Sequence, residues 1–184
     1  AIAACLPLVV TGGIHRDGYL DTVDALSSHQ TCEKKLAIMK DANCGAFAVI
    51  YGGVYLLAYA GFAYEVFAAG RILLICPLFV LSRALSGLCA VNLPNARKSG
   101  MLCAFTSGVQ RRTATAALTL VGLAAAAGMV WMSPTAGGMA VLSALKYRRF
   151  ALAQFGGVTG DTSGFFLQLC ELCGLIGVWI GGLL

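Results

Sequence analysis

The chain has 184 residues, 59% of them hydrophobic and 11% charged, with a net charge of +5 and a mean hydropathy of +0.82. A soluble domain carries about 25% charged residues and must cover itself with polar surface. Composition therefore excludes a soluble globular domain and leaves an all-α, polytopic integral membrane helical bundle, read as a single domain over 1–184. The basic residues stand in short clusters between apolar runs, without interleaved aromatics, which excludes a nucleic-acid platform.

Residues 1–13 read as the end of a membrane span; the chain opens on Ala1, shows no signal peptide, and a further N-terminal segment is expected. A helix needs about 20 apolar residues to cross the hydrocarbon. Residues 42–64 carry no charge, 72–91 qualify apart from Arg83, and 113–132 qualify outright. The stretch 113–145 is uncharged throughout, and one helix of that length would run about 50 Å. Ser133-Pro134 and Gly137-Gly138 are thus expected to mark a turn, followed by a span from about 135 to 156 that Lys146, Arg148 and Arg149 interrupt. Residues 162–184 form the last span, apart from Glu171. That makes about six transmembrane segments. The segments 14–41, 92–112 and 146–161 hold eleven of the thirteen Lys and Arg residues. By the positive-inside pattern these three loops share the cytoplasmic face of the cell membrane. The eight cysteines are scattered, and the one Cys-x-x-Cys pair, Cys170 and Cys173, lies in an apolar run without neighbouring His. They read as small apolar packing residues.

Three loop segments carry chemistry. In GGIHRDGYLDTVDAL, residues 12–26, Asp17, Asp21 and Asp24 fall at i, i+4 and i+7, within roughly 60° of one another on a helix. Three carboxylates on one face repel unless a cation lies between them. Oxygen-only ligands point to Mg²⁺, completed by water and a phosphate substrate; a solvated polar face is the alternative. Gly12, Gly13 and Gly18 permit close approach, and His15 is a candidate general base or hydrogen-bond donor to phosphate. His29 is given no role. In EKKLAIMKDANCGAF, residues 33–47, Leu36, Ile38 and Met39 predict a short amphipathic helix on the bilayer with Lys34 and Lys35 toward anionic head groups. Lys40 and Asp41 can face the acidic cluster. In FGGVTGDTSGFF, residues 155–166, Gly156, Gly157, Gly160 and Gly164 let backbone bend around a ligand, while Thr159, Asp161 or Thr162 caps the last helix. Its first N–H groups suit a phosphate, and Asp161 beside an anion calls for a bridging metal. Glu171 is an intramembrane carboxylate, either functional or paired with Arg83. In NLPNARKSG, residues 92–100, Arg97 can grip a diphosphate bidentately.

Taken in order, TGGIHRDGYLDTVDAL, AIMKDANCGAF and FGGVTGDTSG resemble the cobalamin synthase family, the adenosylcobinamide-GDP ribazoletransferases, with softer matches in LSR at 81–83 and NARKSG at 95–100. The resemblance spans nearly the whole chain. It departs in two places: family members have an additional N-terminal membrane segment, and Phe165, Phe166, Leu167 and Gln168 replace a smaller, Asn-containing pattern. It implies a Mg²⁺-dependent membrane enzyme that joins adenosylcobinamide-GDP to α-ribazole, or its 5′-phosphate, and releases GMP. Asp17, Asp21, Asp24 and Asp161 would hold the metal, and His15 or Asp41 would take the hydroxyl proton. Lys40 and Arg97, with Gly157, Thr159 and Gly160, would hold phosphate. A CDP-alcohol phosphotransferase and a divalent-cation transporter are the rival expectations, and the Gly-rich helices permit a homo-oligomer.

Overall fold

The computed structural model describes residues 2–184. Helices α1 (Ile2–Thr11) and α2 (Ile14–Ser27) meet at Gly12 and Gly13, whose φ values of 61° and 82° favour glycine. Then come the short α3 (Cys32–Ile38), the long α4 (Ala46–Ala68), and α5 (Ile75–Asn92), entered through a 3-10 turn at Ile72–Leu74. The short α6 (Met101–Ser107) precedes α7 (Arg111–Met132), α8 (Pro134–Phe155) and α9 (Gly160–Leu183). Among the described residues no strand forms.

Four stretches, Ala46–Ala68, Ile72–Asn92, Arg111–Met132 and Gly160–Leu183, are long and apolar enough to cross a bilayer. This is a membrane protein. The expected span near 135–156 is a helix of 22 residues, α8, whose three basic residues keep it out of that group. The segment expected as a span end at 1–13 contributes the ten-residue α1. The turn expected over Ser133–Pro134 and Gly137–Gly138 is confined to Ser133. Pro134 takes the first helical position, where its missing N–H costs nothing. Both glycines lie inside α8, with Gly137 pressed against Met129 and Val130 of α7.

The amphipathic segment forms as α3, but Lys35 does not reach toward head groups. It is buried, and its ammonium donates to Gln154 Oε1 on α8, pinning α3 to the bundle. Helix α9 lies at the centre and packs against α2, α4, α5 and α8. The core around it joins Tyr55 and Tyr59 of α4, Leu78 and Leu81 of α5, and Phe166 and Leu175 of α9. Glu171, buried at this depth, is paired with Arg83 and accepts from Ser82 at 3.3 Å. A buried carboxylate left single would be costly, so the structural half of the sequence expectation for Glu171 is met by α5. All eight cysteines are free, and Cys170 is buried packing.

Two glycines set the approach of α2 to α9. A Cβ on Gly18 would stand 2.7 Å from the Asp161 Cα, and one on Gly164 would stand 2.9 Å from the His15 carbonyl oxygen. The pairing Gly18 with Asp161 and His15 with Gly164 makes the two helices antiparallel. The N-terminal turn of α2 therefore lies inward along α9, and its C-terminal turn lies toward the loops. Tyr19 continues the contact by stacking on Phe165, with ring centroids 5.5 Å apart.

Candidate active site

The site grows from the α2–α9 contact. Because Gly18 has no side chain, the carboxylate face of α2 comes against the first turn of α9, and Asp17 and Asp21 look toward Asp161. Asp17 is exposed, whereas Asp21 and Asp161 are half-buried. Burial pushes the Asp21 carboxyl up to about 6 from 3.8, and the negative charges of Asp17 and Asp161 add to the rise. Arg97 pulls in the opposite direction and Asp24 adds a smaller increment. Burial comes first among the causes, and the neighbouring carboxylates add to it beyond what Arg97 offsets.

Arg97 arrives from the loop after α5. A parallel bridge joins that loop to the glycine turn: Ala96 N–H donates to Val158 O at 2.9 Å, and Val158 N–H donates to Pro94 O at 2.9 Å. Gly157 makes this possible, since any Cβ there would strike Pro94 O. Arg97 then pairs with Asp161 at 2.9 Å and donates to Leu36 O at 3.2 Å, so its fork is fixed from two sides. Its Nε is buried without a partner. A cavity of about 70 Å³ opens beside the pair, lined by Arg97, Ser99, Gly100, Thr159, Gly160 and Asp161 among others.

The turn expected to bind phosphate divides its labour. Gly157 spends its N–H on Ala151 O at 3.2 Å, and with Gly156 (φ 70°) it closes α8. Thr159 is the N-cap of α9. Its hydroxyl accepts from Thr162 N–H at 3.0 Å, and its own N–H donates to the Thr162 hydroxyl at 2.9 Å. Gly157 and Thr159 thus build the turn and have no N–H left for a ligand. The N–H groups of Gly160 and Asp161, first in the helix, have no intrahelical acceptor. They line the cavity.

Asp24 belongs to a different structure from the one its spacing predicted. Its two oxygens accept from the N–H groups of Gly45 and of Ala48, the latter at 2.8 Å, so it caps α4 from another helix. Gly45 is required there, because a Cβ would meet the carboxylate. Asp24→Ala is expected to lower stability by about 1–2 kcal/mol, and amide exchange at Gly45 and Ala48 should accelerate. A melt in detergent micelles and exchange mass spectrometry check this; unchanged protection would show that α4 is capped otherwise.

Lys40 and Asp41 are exposed on the connection between α3 and α4. Asp41 Oδ1 accepts from the Asn43 N–H at 3.0 Å and the Asn43 side chain at 2.8 Å, and no hydrogen bond or ion pair among the described residues joins either residue to the carboxylates. His15 is half-buried two residues before Asp17. Burial, and secondarily the Arg83 guanidinium, lowers its pKa below the ordinary imidazole value. Burial and Arg83 thus favour the neutral imidazole, the form able to accept a proton. Arg16, between His15 and Asp17, had no expected role; its guanidinium lies 4.6 Å over the Tyr55 ring.

Among the described residues no three His, Cys, Asp or Glu side chains stand close enough together to hold a metal ion by themselves. Asp17 and Asp161 are nonetheless near enough to Asp21 to raise its pKa, and the three supply oxygen donors alone. Such a donor set fits a hard divalent ion that keeps waters and takes its remaining ligands from a phosphate.

The sequence profile of the cobalamin-5-phosphate synthase family matches residues 1–179. A protein of Lachnoclostridium phytofermentans named adenosylcobinamide-GDP ribazoletransferase is 41% identical over 176 residues, covering 94% of this chain and 67% of its own length. Proteins of the same name from Desulfitobacterium hafniense and Desulforamulus reducens are 32% identical over 193 residues and 30% identical over 169 residues. The chain covers 72% and 66% of those two relatives, so it spans about two thirds of the proteins it matches. No solved structure matches it.

Proposed function

The chain belongs to the cobalamin-5-phosphate synthase family, and on that premise we propose that it transfers the adenosylcobinamide phosphate moiety from adenosylcobinamide-GDP to α-ribazole or its 5′-phosphate. The supporting observation is the meeting, at one end of the bundle, of Asp17, Asp21 and Asp161 with Arg97 and the start of α9. That end carries the basic loops and faces the cytoplasm in this proposal.

A ribose hydroxyl of the acceptor attacks the phosphorus bearing the cobinamide arm. The new P–O bond forms as the P–O bond to GMP breaks, GMP departs with that electron pair, and adenosylcobalamin or its 5′-phosphate is the product. In such a transfer the protein's contribution is positioning and charge neutralisation. His15, held toward its neutral form, takes the hydroxyl proton; Asp41 lies on the exposed connection and is the weaker candidate. Arg97 and the free N–H groups of Gly160 and Asp161 hold the diphosphate oxygens, and Lys40 approaches the leaving nucleotide from the α3–α4 connection. Asp17, Asp21 and Asp161 would hold Mg²⁺, which offsets charge on the diphosphate when bound. Asp24 contributes by fixing α4. Acids at helix ends, with the one deep carboxylate spent on Arg83, also favour an enzyme over a cation transporter, which needs carboxylates near the midplane.

The test is GMP release by detergent-solubilised protein. Release is expected only with adenosylcobinamide-GDP, α-ribazole and Mg²⁺ together, and EDTA should stop it. A folded protein that releases no GMP under these conditions would overturn the proposal.

A further inference from the structure

Arg97, at the site, and Arg16, one residue before Asp17, are held in opposite ways. Arg97 is anchored, with Asp161 on one side and the Leu36 carbonyl on the other, and keeps its remaining N–H groups for a ligand. Arg16 is not anchored in this way. Its Nε and Nη1 are buried without a hydrogen-bond partner, and the ion pairs among the described residues, Arg83 with Glu171 and Arg97 with Asp161, leave it out.

What holds Arg16 is the face of the Tyr55 ring, 4.6 Å from its guanidinium carbon. The Tyr55 hydroxyl is turned elsewhere, donating to Gln168 O at 3.2 Å. Glu171, the buried acid nearby, is taken by Arg83 and Ser82. A ring face compensates a guanidinium only partly, and a desolvated cation without acceptors is unfavourable. The side chain is long and flexible. It starts from the residue before Asp17, about 100° around α2 from the carboxylate face. A planar fork whose Nε and Nη1 lack an acceptor is suited to two oxygens of a phosphate.

We propose that Arg16 is a further ligand for the diphosphate of the donor substrate, resting on Tyr55 until the substrate enters beside α2. The identity of that diphosphate rests on the transfer reaction proposed above; the recognition of a diphosphate does not. Asp17 and Asp21 bring the divalent ion to one side of the anion, and Arg16 brings a cation to it from the inward end of the same helix.

The experiment is calorimetric titration of the full chain in detergent with pyrophosphate and Mg²⁺, on wild type, Arg16→Ala, Arg16→Lys and Tyr55→Leu. Arg16→Ala is expected to weaken pyrophosphate binding at least about tenfold. Arg16→Lys should fall between, because it keeps the charge but loses the fork. Tyr55→Leu, which removes the resting place, should bind pyrophosphate as tightly as wild type or more tightly. In the transfer assay the alanine variant should raise KM for adenosylcobinamide-GDP more than it lowers kcat. Should Arg16→Ala fail to fold, Arg16→Lys carries the comparison. Wild-type affinity in both Arg16 variants, or no pyrophosphate uptake by wild type, would overturn the proposal. A wild type that binds pyrophosphate through Arg16 yet releases no GMP would overturn the transfer reaction and leave Arg16 standing as a diphosphate ligand.

Discussion

Asp21→Asn is expected to lower transfer by at least about a hundredfold while leaving the protein folded in the membrane. Asparagine keeps the shape of the side chain and one oxygen but removes the charge that a divalent ion would need between Asp17 and Asp161. The same residue gives a pH dependence of known sign. Its folded value, about 6, lies above the unfolded value of 3.8, so the folded protein holds the proton more tightly. Without Mg²⁺, the Asp21 contribution to stability is fully present below about pH 4 and is lost as pH rises through about 6. On the proposed assignment, Mg²⁺ would compete with that proton and restore what is lost. The gain in melting temperature on adding Mg²⁺ should therefore grow from about pH 5 to about pH 7, and Asp21→Asn should lack it. Near-normal turnover by this variant, or a Mg²⁺ effect equal to that of wild type, would sink the metal assignment.

Gly18→Ala should be nearly as damaging although it removes no functional group. The added methyl would lie 2.7 Å from the Asp161 Cα and 2.8 Å from its carbonyl oxygen, both backbone atoms that cannot turn aside. Helices α2 and α9 must separate, which costs about 1–3 kcal/mol in an overpacked contact. Asp161 then moves away from Asp17 and Asp21, and a displacement of about 1 Å can cost on the order of a hundredfold in rate. Gly53→Ala is the control: nothing lies within 4 Å of that position on α4, and alanine is the better helix former. It should match or exceed wild type in a detergent melt and release GMP at the wild-type rate. Equal activity in the two variants would show that the chemistry does not depend on the α2–α9 contact.

Much of the site was legible because it rests on short-range periodicity. Spacing of i, i+4 and i+7 put Asp17, Asp21 and Asp24 on one face, and the apolar runs announced α4, α5, α7 and α9. Long-range partners were not legible. Asp24 has the right spacing for a ligand, but Gly45 and Ala48 of another helix take its oxygens, and only the fold brings them there. Gly157 read as loop flexibility, whereas its value is the closeness with which Pro94 passes it. Lys35 read as a head-group contact because its partner, Gln154, lies far along the chain. Arg16 gave no signal at all, since its distinguishing property is the lack of a hydrogen-bond partner, and a one-dimensional pattern cannot display a lack.

The parallel bridge between Asn95 and Val158 governs how the loops at this end of the bundle can vary. The segment 94–97 is measured against the glycine turn by two backbone hydrogen bonds, so the position of Arg97 is set there. Residues 98–110 fold back on the same anchor, with Asn95 Nδ2 donating to Thr106 Oγ1 at 3.1 Å and Ser99 and Gly100 lining the cavity beside Arg97. A single residue inserted between Pro94 and Arg97 would turn the guanidinium away from Asp161.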